Sequence, residues 1–271
     1  MILTVDTGGT KTLLAVFDES GRPAGEVRFP TPHDPDEYTA KLSEAIHENY
    51  LSKQLKLDAV VIAVPGIVKN NIAVWCGNLG WQNFDIAGEL KDYLKCPVWL
   101  ENDANLAGLA ETRALSDRPD SSLYVTISTG IGTGIIVNGE ILDGLSQAEG
   151  GHMPVEYDGR VRQWESFASG RAIKDTYKKY ARDIHDAKTW RQIADKISRG
   201  FLAIIPLLQP DVIIIGGSIG TYFDRYSDQL NQLLKTRLPD HIPLPAIRQA
   251  AHPEEAVIYG GYFYAKDRLA S

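Results

Sequence analysis

Short apolar runs separated by polar turns open the chain. "ILTVD" (2–6), "TLLAVFD" (12–18) and "AGEVRF" (24–29) are rich in β-formers and broken by glycine-bearing turns, a pattern that predicts a three-stranded meander. The period then changes. In "HDPDEYTAKLSEAIHENYLSK" (33–53), Tyr38, Leu42, Ile46 and Tyr50 recur every four residues. Asp34 stands at a cap position, Pro35 at the first helical position and Glu37 where a capping box needs it, so this segment reads as a helix. "AVVIAVP" (59–65) is nearly all apolar and short, the mark of a strand covered on both faces. "IAGELKDYL" (86–94), "PVWLEN" (97–102) and "ANLAGLAETRAL" (104–115) follow as helix, strand and helix, giving the order βββαβαβα.

The polar cluster "SDRPDSS" (116–122) interrupts this pattern, and the order then restarts. "LYVTIS" (123–128), a glycine turn, "TGIIVNG" (133–139) and "EILDG" (140–144) read as a second meander. A mainly helical stretch from 165 to 209 precedes the buried strand "DVIIIGG" (211–217). The tail "EEAVIYGGYFYAKDRLA" (254–270) keeps a helical apolar stripe despite Gly260 and Gly261. The expectation is two similar α/β halves with a boundary near 113–120.

With 271 residues the chain has room for one large or two modest domains. The formal charge, 28 − 35 = −7, argues against nucleic acid or an anionic membrane as the main partner. No apolar run is long enough to span a bilayer, and "MILTVDTGG" lacks the basic and apolar regions of a secretory signal. Cys76 and Cys96 have no metal-like spacing, so a reduced, cytoplasmic setting is expected.

The chemistry concentrates in loops. "DTGGTKT" (6–12) is not a GxxxxGK(S/T) phosphate loop, because Lys11 follows Thr10 and the earlier glycine is missing. "STGIGTG" (128–134) is GxGxG between two strands rather than the dinucleotide GxGxxG; both loops join two β-strands. A glycine-rich hairpin can still turn successive N–H groups and Thr hydroxyls toward an oxyanion. Asp6 at the lip of the first loop would repel a phosphate by itself. Its presence makes sense if it holds Mg²⁺, which prefers hard oxygen ligands and bridges phosphate oxygens during phosphoryl transfer. In "LENDANLAG" (100–108) an apolar strand ends in Glu101, Asn102 and Asp103 as a helix begins. Capping explains one of these residues; an Asn–Asp pair can also grip adjacent hydroxyls, and an Asp can take the proton of an attacking alcohol. Glu149 and His152 flank a glycine pair on a loop, with Glu165 further on. "IIIGGSIG" (213–220) and "VPGIV" (64–68) each end a strand in a turn, either as plain turn chemistry or as close backbone approach to a ligand.

Taken in order, these segments resemble the ROK family of sugar kinases (repressor, open reading frame, kinase) along nearly the whole chain. "DTGGTKT" and "STGIGTGI" match its two phosphate loops, the "PG" at 65–66 and "GNLGW" (77–81) its sugar-side turns, and "ENDAN" its catalytic segment. "AEGGHM", "WESFASG" and "IIIGG" match its histidine, second glutamate and adenosine segments. The resemblance implies an α/β fold of the actin-like ATPase (ribonuclease H-like) class, two similar α/β domains around a cleft. Residues 1–115 plus 256–271 would form one, with the last helix returning to it, and 116–255 the other. It implies transfer of the γ-phosphate of Mg-ATP to a hexose or N-acylhexosamine, commonly at the 6-hydroxyl. Asp103 would be the general base, and Gly66, Asn78, Asn102, Asp103, Glu149, His152 and Glu165 would meet the sugar. Gly8, Gly9, Thr10 and Lys11, with Thr129, Gly130, Gly132 and Thr133, would hold the phosphates. Gly216 and Gly217 would line the adenosine pocket, and Asp6 would place the metal. A homodimer is common in the family.

Two departures stand out. Many members hold zinc with that histidine and three cysteines, whereas "MPVEYDGRVRQW" (153–164) has no cysteine, so no zinc is expected and packing by Trp164 and Phe167 must brace the loop. The Asn of "GNLGW" also lacks the usual preceding Thr or Ser. The rival reading is a sugar-sensing regulator of the same family, which would carry a basic DNA-binding domain that these 271 residues do not show.

Overall fold

A computed structural model describes residues 1–252 and 255–270. Glu254, where the expected tail helix begins, and Ser271 lie outside the described residues. The chain divides into two units, Met1–Ala110 with Glu255–Ser271, and Glu111–Glu254. No helix among the described residues is long and apolar enough to cross a membrane.

In the first unit the meander forms as the apolar pattern predicts: β1 (Ile2–Thr7), β2 (Lys11–Phe17) and β3 (Pro23–Pro30). Helix α1 (Pro35–Asn49) starts where Asp34 accepts the Glu37 N–H at 3.0 Å, the cap read from sequence. Strand β4 (Ala59–Val64) is buried at every residue. A three-stranded antiparallel sheet that the periodicity did not predict follows: β5 (Ile67–Lys69), β6 (Ile72–Cys76) and β7 (Trp81–Phe84). Its first turn uses Asn70 and Asn71 at φ of 51° and 64°, the left-handed conformation that Asn tolerates best after glycine. Then come α2 (Ile86–Leu94), β8 (Val98–Asn102) and α3 (Asp103–Arg113).

The main sheet runs β3-β2-β1-β4-β8, with β1, β4 and β8 parallel. Leu3, Val5, Ile62 and Leu100 turn one face onto Leu42 and Ile46 of α1 and Ile86 and Leu90 of α2. Helix α9 (Ala256–Ala270) packs against β1 and β4. Its glycine pair is explained by close approach to α3 and to β1. A Cβ on Gly260 would sit 1.9 Å from the Leu106 carbonyl oxygen, and one on Gly261 would sit 3.0 Å from the Thr4 methyl. Gly260→Ala is therefore expected to lower stability by about 3 kcal/mol or more, read from a urea or thermal melt.

The second unit repeats the same strand order. Strands β9 (Ser121–Ile127), β10 (Ile131–Val137), β11 (Glu140–Ile141), β14 (Val212–Gly216) and β15 (Ala246–Gln249) pair as β11-β10-β9-β14-β15, again a meander joined to two parallel strands. Between them lie the hairpin β12 (Pro154–Tyr157) and β13 (Arg160–Gln163) and the helices α4 (Glu165–Ala168), α5 (Gly170–Tyr177), α6 (Ala187–Leu208), α7 (Gly217–Gly220) and α8 (Ser227–Arg237). The helical stretch expected at 165–209 is thus three helices, restarted at Ser169 and Asp186, whose side chains cap the next helix. Leu123, Val125, Ile213 and Ile215 form the core with Ile193, Ile197 and Phe201 of α6 and Leu230 and Leu234 of α8.

Candidate active site

The parallel strands of the first unit end at one edge, and the register fixes what gathers there. Asp6 pairs with Ala63 and Ala63 with Glu101, so the three project to one face of the sheet. One residue further, Val64 pairs with Asn102, and Asp103 begins α3. The hairpin after β1, the Pro-Gly turn after β4 and the Asn-Asp pair after β8 therefore share the carboxyl edge, where open α/β sheets place ligands.

Each piece is held from behind. Gly8 donates its N–H to the Lys11 carbonyl at 3.0 Å and its own carbonyl accepts from the Thr31 hydroxyl at 2.8 Å. The Gly9 carbonyl lies 3.0 Å from His33 Nε2, and Trp81 Nε1 donates to the His33 carbonyl at 2.7 Å. These bonds use carbonyls, while the N–H groups of Gly9 and Thr10 have no hydrogen-bond partner among the described residues. Two adjacent free donors form a concavity suited to an oxyanion. Gly9 also faces Asn78, whose Cβ is 3.8 Å from where a Gly9 Cβ would stand. Gly66 is buried against the Trp75 carbonyl, which a Cβ would approach to 2.1 Å. Asn102 donates to the Gly66 carbonyl at 2.9 Å and accepts the Asn105 N–H at 3.0 Å, so it caps α3 and ties the two strand ends together. Asp103 is partly exposed at the first position of α3, with Oδ1 accepting the Ala104 N–H at 2.8 Å.

Asp6 is different. Its carboxylate has neither a hydrogen bond nor an ion pair among the described residues, and burial pushes its pKa up to about 6. An unpartnered hard-oxygen donor beside free N–H groups fits Mg²⁺, which takes one or two carboxylates and completes its shell with phosphate oxygens and water. The described residues contain no cluster of three or more His, Cys, Asp or Glu side chains that would enclose a metal by themselves.

In the second unit the phosphate-loop candidate is shorter than its sequence suggests. Only residues 128–130 lie outside strands, and Gly132 and Thr133 belong to β10. Thr129 and Gly130 keep N–H groups without a partner among the described residues. Thr133 is buried; its hydroxyl donates to the Ala148 carbonyl at 3.1 Å and accepts the Gly150 N–H at 3.0 Å, holding the turn that carries Glu149 and His152. That turn lies tight on β10, since a Gly151 Cβ would stand 1.9 Å from the Ile131 carbonyl oxygen. His152 Nδ1 is 3.8 Å from Glu149 and Nε2 is 3.5 Å from Glu165, so three residues distant in sequence form one half-buried group. Burial, opposed by His152 and reinforced by Glu165, raises the Glu149 pKa.

Glu165 Oε2 also accepts the Ile131 N–H at 3.1 Å, joining the start of α4 to the start of β10. A Cβ on Gly130 would sit 2.6 Å from that oxygen. Gly130→Ala is expected to displace the carboxylate with little change in Tm, because only a flexible side-chain end must move; if Glu165 meets a sugar, as the resemblance implies, the KM for that sugar should rise about tenfold. The hairpin β12–β13 supports this group by packing. Trp164 is fully buried, donates Nε1 to the Lys196 carbonyl at 3.3 Å and abuts Gly200, where a Cβ would meet its ring at 2.1 Å. Phe167 stacks on Tyr157 with centroids 4.7 Å apart.

Gly216 and Gly217 are needed by the chain itself. A Cβ on Gly216 would meet the Tyr124 hydroxyl at 2.3 Å, while Gly217 has φ of 76° and would strike Ser128 Oγ at 2.6 Å. Just beyond them, Ser218 and Ile219 line a cavity of about 380 Å³ together with Ser128, Thr129 and Gly170. Arg171, Lys174, Tyr180, Arg182 and Tyr222 complete its wall. The sequence reading missed these five; the interleaved basic and aromatic residues of "RAIKDTYKKYAR" (171–182) are the signal that could have marked the first four, and nothing local marks Tyr222.

The ROK family model matches residues 2–268. A protein of Bacillus subtilis with a provisional fructokinase name is 34% identical over 81% of this chain and 77% of its own. An N-acetylmannosamine kinase of Yersinia pestis is 29% identical over 98% and 99%. Among solved structures, a polyphosphate/ATP-glucomannokinase from Arthrobacter is 27% identical with a TM-score of 0.76, covering 98% of each chain. A ROK glucokinase from Streptomyces griseus, solved with glucose and AMPPNP, has a TM-score of 0.79 at 23% identity, covering 98% of this chain and 99% of its own. With the repeated strand order of the two units, these likenesses place the chain in the actin-like ATPase fold. The chain belongs to the ROK family.

Proposed function

We propose that this ROK-family sugar kinase transfers the γ-phosphate of ATP to a hydroxyl of a hexose or N-acylhexosamine, at the 6-position, with Asp103 as the general base. The observation that carries the reading is the shared carboxyl edge of β1, β4 and β8, which brings Asp6, the free N–H groups of Gly9 and Thr10 and the Asn102–Asp103 pair to the same end of one sheet. In phosphoryl transfer the protein mainly positions groups and offsets charge.

Asp103 accepts the hydroxyl proton as the sugar oxygen attacks the γ-phosphorus and ADP departs, and it then releases that proton to solvent. In this reading Asn102, Glu149, His152 and Glu165 orient the ring by hydrogen bonds to its other hydroxyls, and Gly66 and Asn78 also meet the sugar. Gly8, Gly9, Thr10 and Lys11 and the loop at Thr129 and Gly130 hold phosphates. The 380 Å³ cavity next to Gly216 and Gly217 takes the adenosine. Mg²⁺ when bound supplies divalent charge to the phosphate oxygens, and Asp6 is the residue that would hold it.

A coupled ADP-release assay against a panel of hexoses and N-acetylhexosamines, run with Mg-ATP, tests this. The expected result is sugar-dependent ADP release that vanishes with a chelator. Sugar binding without any ADP release would favour the regulator reading, and sugar-independent hydrolysis would exclude an alcohol acceptor.

A further inference from the structure

A second cavity of about 600 Å³ lies in the Glu111–Glu254 unit and includes none of the residues proposed to meet sugar, phosphate or adenosine, although its Tyr157 and Lys196 also touch Phe167 and Trp164. One face of α6 supplies Lys188, Arg191, Lys196 and Arg199, α8 adds Arg237, and Tyr157 and Tyr177 form walls. Five lining side chains are cationic and two, Asp158 and Asp195, are acidic. The acids do not balance the cations: Asp195 already pairs with Arg199 at 3.3 Å and Arg237 at 2.6 Å. Lys188, Arg191 and Lys196 have no ion-pair partner among the described residues.

Lys196 is the decisive residue. It is only 6% exposed, yet no carboxylate or hydrogen-bond acceptor meets its ammonium among the described residues. Nζ lies 5.4 Å and 5.5 Å from the ring centroids of Tyr157 and Tyr177, on the cavity's wall. Burial lowers its pKa, Arg162 adds to the lowering by like charge, and Asp158 opposes it. Two ring faces restore only part of what an ammonium loses on leaving water. The same cluster buries the Nε atoms of Arg162 and Arg199 without hydrogen-bond partners. A pocket with this surplus of donors and positive charge is built for an anion. Its tyrosine walls suit the less polar face of a small organic molecule.

We propose that this cavity binds the phosphoryl group of a small phosphate monoester, with Lys196 at its base and Lys188 and Arg191 at its rim. A dianion matches three unpaired cations, and a phosphoryl group offers the three acceptor oxygens they need.

The test is calorimetric titration of the full chain, free of nucleotide and metal, with glucose 6-phosphate and separately with inorganic phosphate. Saturable binding of glucose 6-phosphate is expected, weakened at least tenfold in the Lys188→Gln/Arg191→Gln double variant. Both residues are exposed, so the variant's Tm should match the parent's. Lys196→Met should weaken binding as much or more. Inorganic phosphate binding as tightly as glucose 6-phosphate, with the same dependence on residues 188 and 191, would support the site and identify free phosphate as its ligand. Binding unaltered in the double variant, or no saturable heat from either probe at millimolar concentration, would overturn the proposal.

Discussion

Replacing Asp103 by Asn is expected to lower kcat by about a thousandfold, within the range that a positioned general base contributes, and to leave nucleotide affinity within about threefold. The choice of Asn follows from the geometry. Oδ1 of Asp103 accepts the Ala104 N–H at 2.8 Å, a bond that an amide oxygen can also make, so the start of α3 survives the change. What the variant loses is the capacity to take a proton. Because Asn102 next to it already caps α3 and ties Gly66, a structural role for Asp103 is largely covered by its neighbour. Near-normal turnover by this variant, measured with the preferred sugar, would mean that another group removes the proton.

Asp6→Asn is expected to have two opposite effects. Turnover should be lost, and the metal-free protein should become more stable at neutral pH. Burial pushes the Asp6 pKa from 3.8 to about 6, so between those values the folded chain holds a proton that the unfolded chain has released. Stability therefore falls as pH rises through that window and the full cost is present above it. The shift corresponds to about 3 kcal/mol at most, less where solvent reaches the carboxylate. Asn removes this cost, so melts of the metal-free protein should show the variant several degrees above the parent at pH 7 and level with it below pH 4. A variant that melts lower at pH 7 would show that Asp6 stabilises the fold and is not held there for a ligand. A carboxylate kept where it weakens the fold is the pattern expected of a functional group.

Much of this was legible in the chain because the elements that carry it have strong periods. The meander at 2–30 and the buried strand at 59–64 formed within one or two residues of expectation, and the Asp34-capped helix starts where expected but ends at Asn49, four residues before the segment's end at Lys53. The restart after residue 116 proved to be a second sheet with the first one's strand order. Elements without a clear period went unread. Strands β5 to β7 are three to five residues long and separated by tight Asn and Gly turns, too short for alternation to register. Strand β15 is four residues whose place at the sheet edge depends on pairing with β14, a contact no local pattern encodes. Helix α8 has polar residues at most positions, and only Leu230 and Leu234 are buried.

The site shows the same division. The proposed roles of Asp6, Asn102, Asp103, Glu149, His152 and Glu165 rest on residue type and loop position, whereas the contacts of Thr133 could not be read that way. Its neighbours in sequence are glycines of the loop proposed to hold phosphate, and its hydroxyl turns inward to Ala148 and Gly150. The glycine pairs were equally ambiguous. At 150–151, 216–217 and 260–261 they answer to neighbouring atoms of the chain itself, which only three dimensions reveal.

The most direct test is a crystal structure with AMPPNP, Mg²⁺ and the sugar that the ADP-release assay selects. The account predicts an Asp103 carboxylate oxygen about 2.6–3.2 Å from the accepting hydroxyl, that hydroxyl in line with the γ-phosphorus, and Asp6 on the metal or its water shell. A sugar bound with Asp103 out of reach of every hydroxyl, or a metal site that leaves Asp6 unengaged, would contradict it.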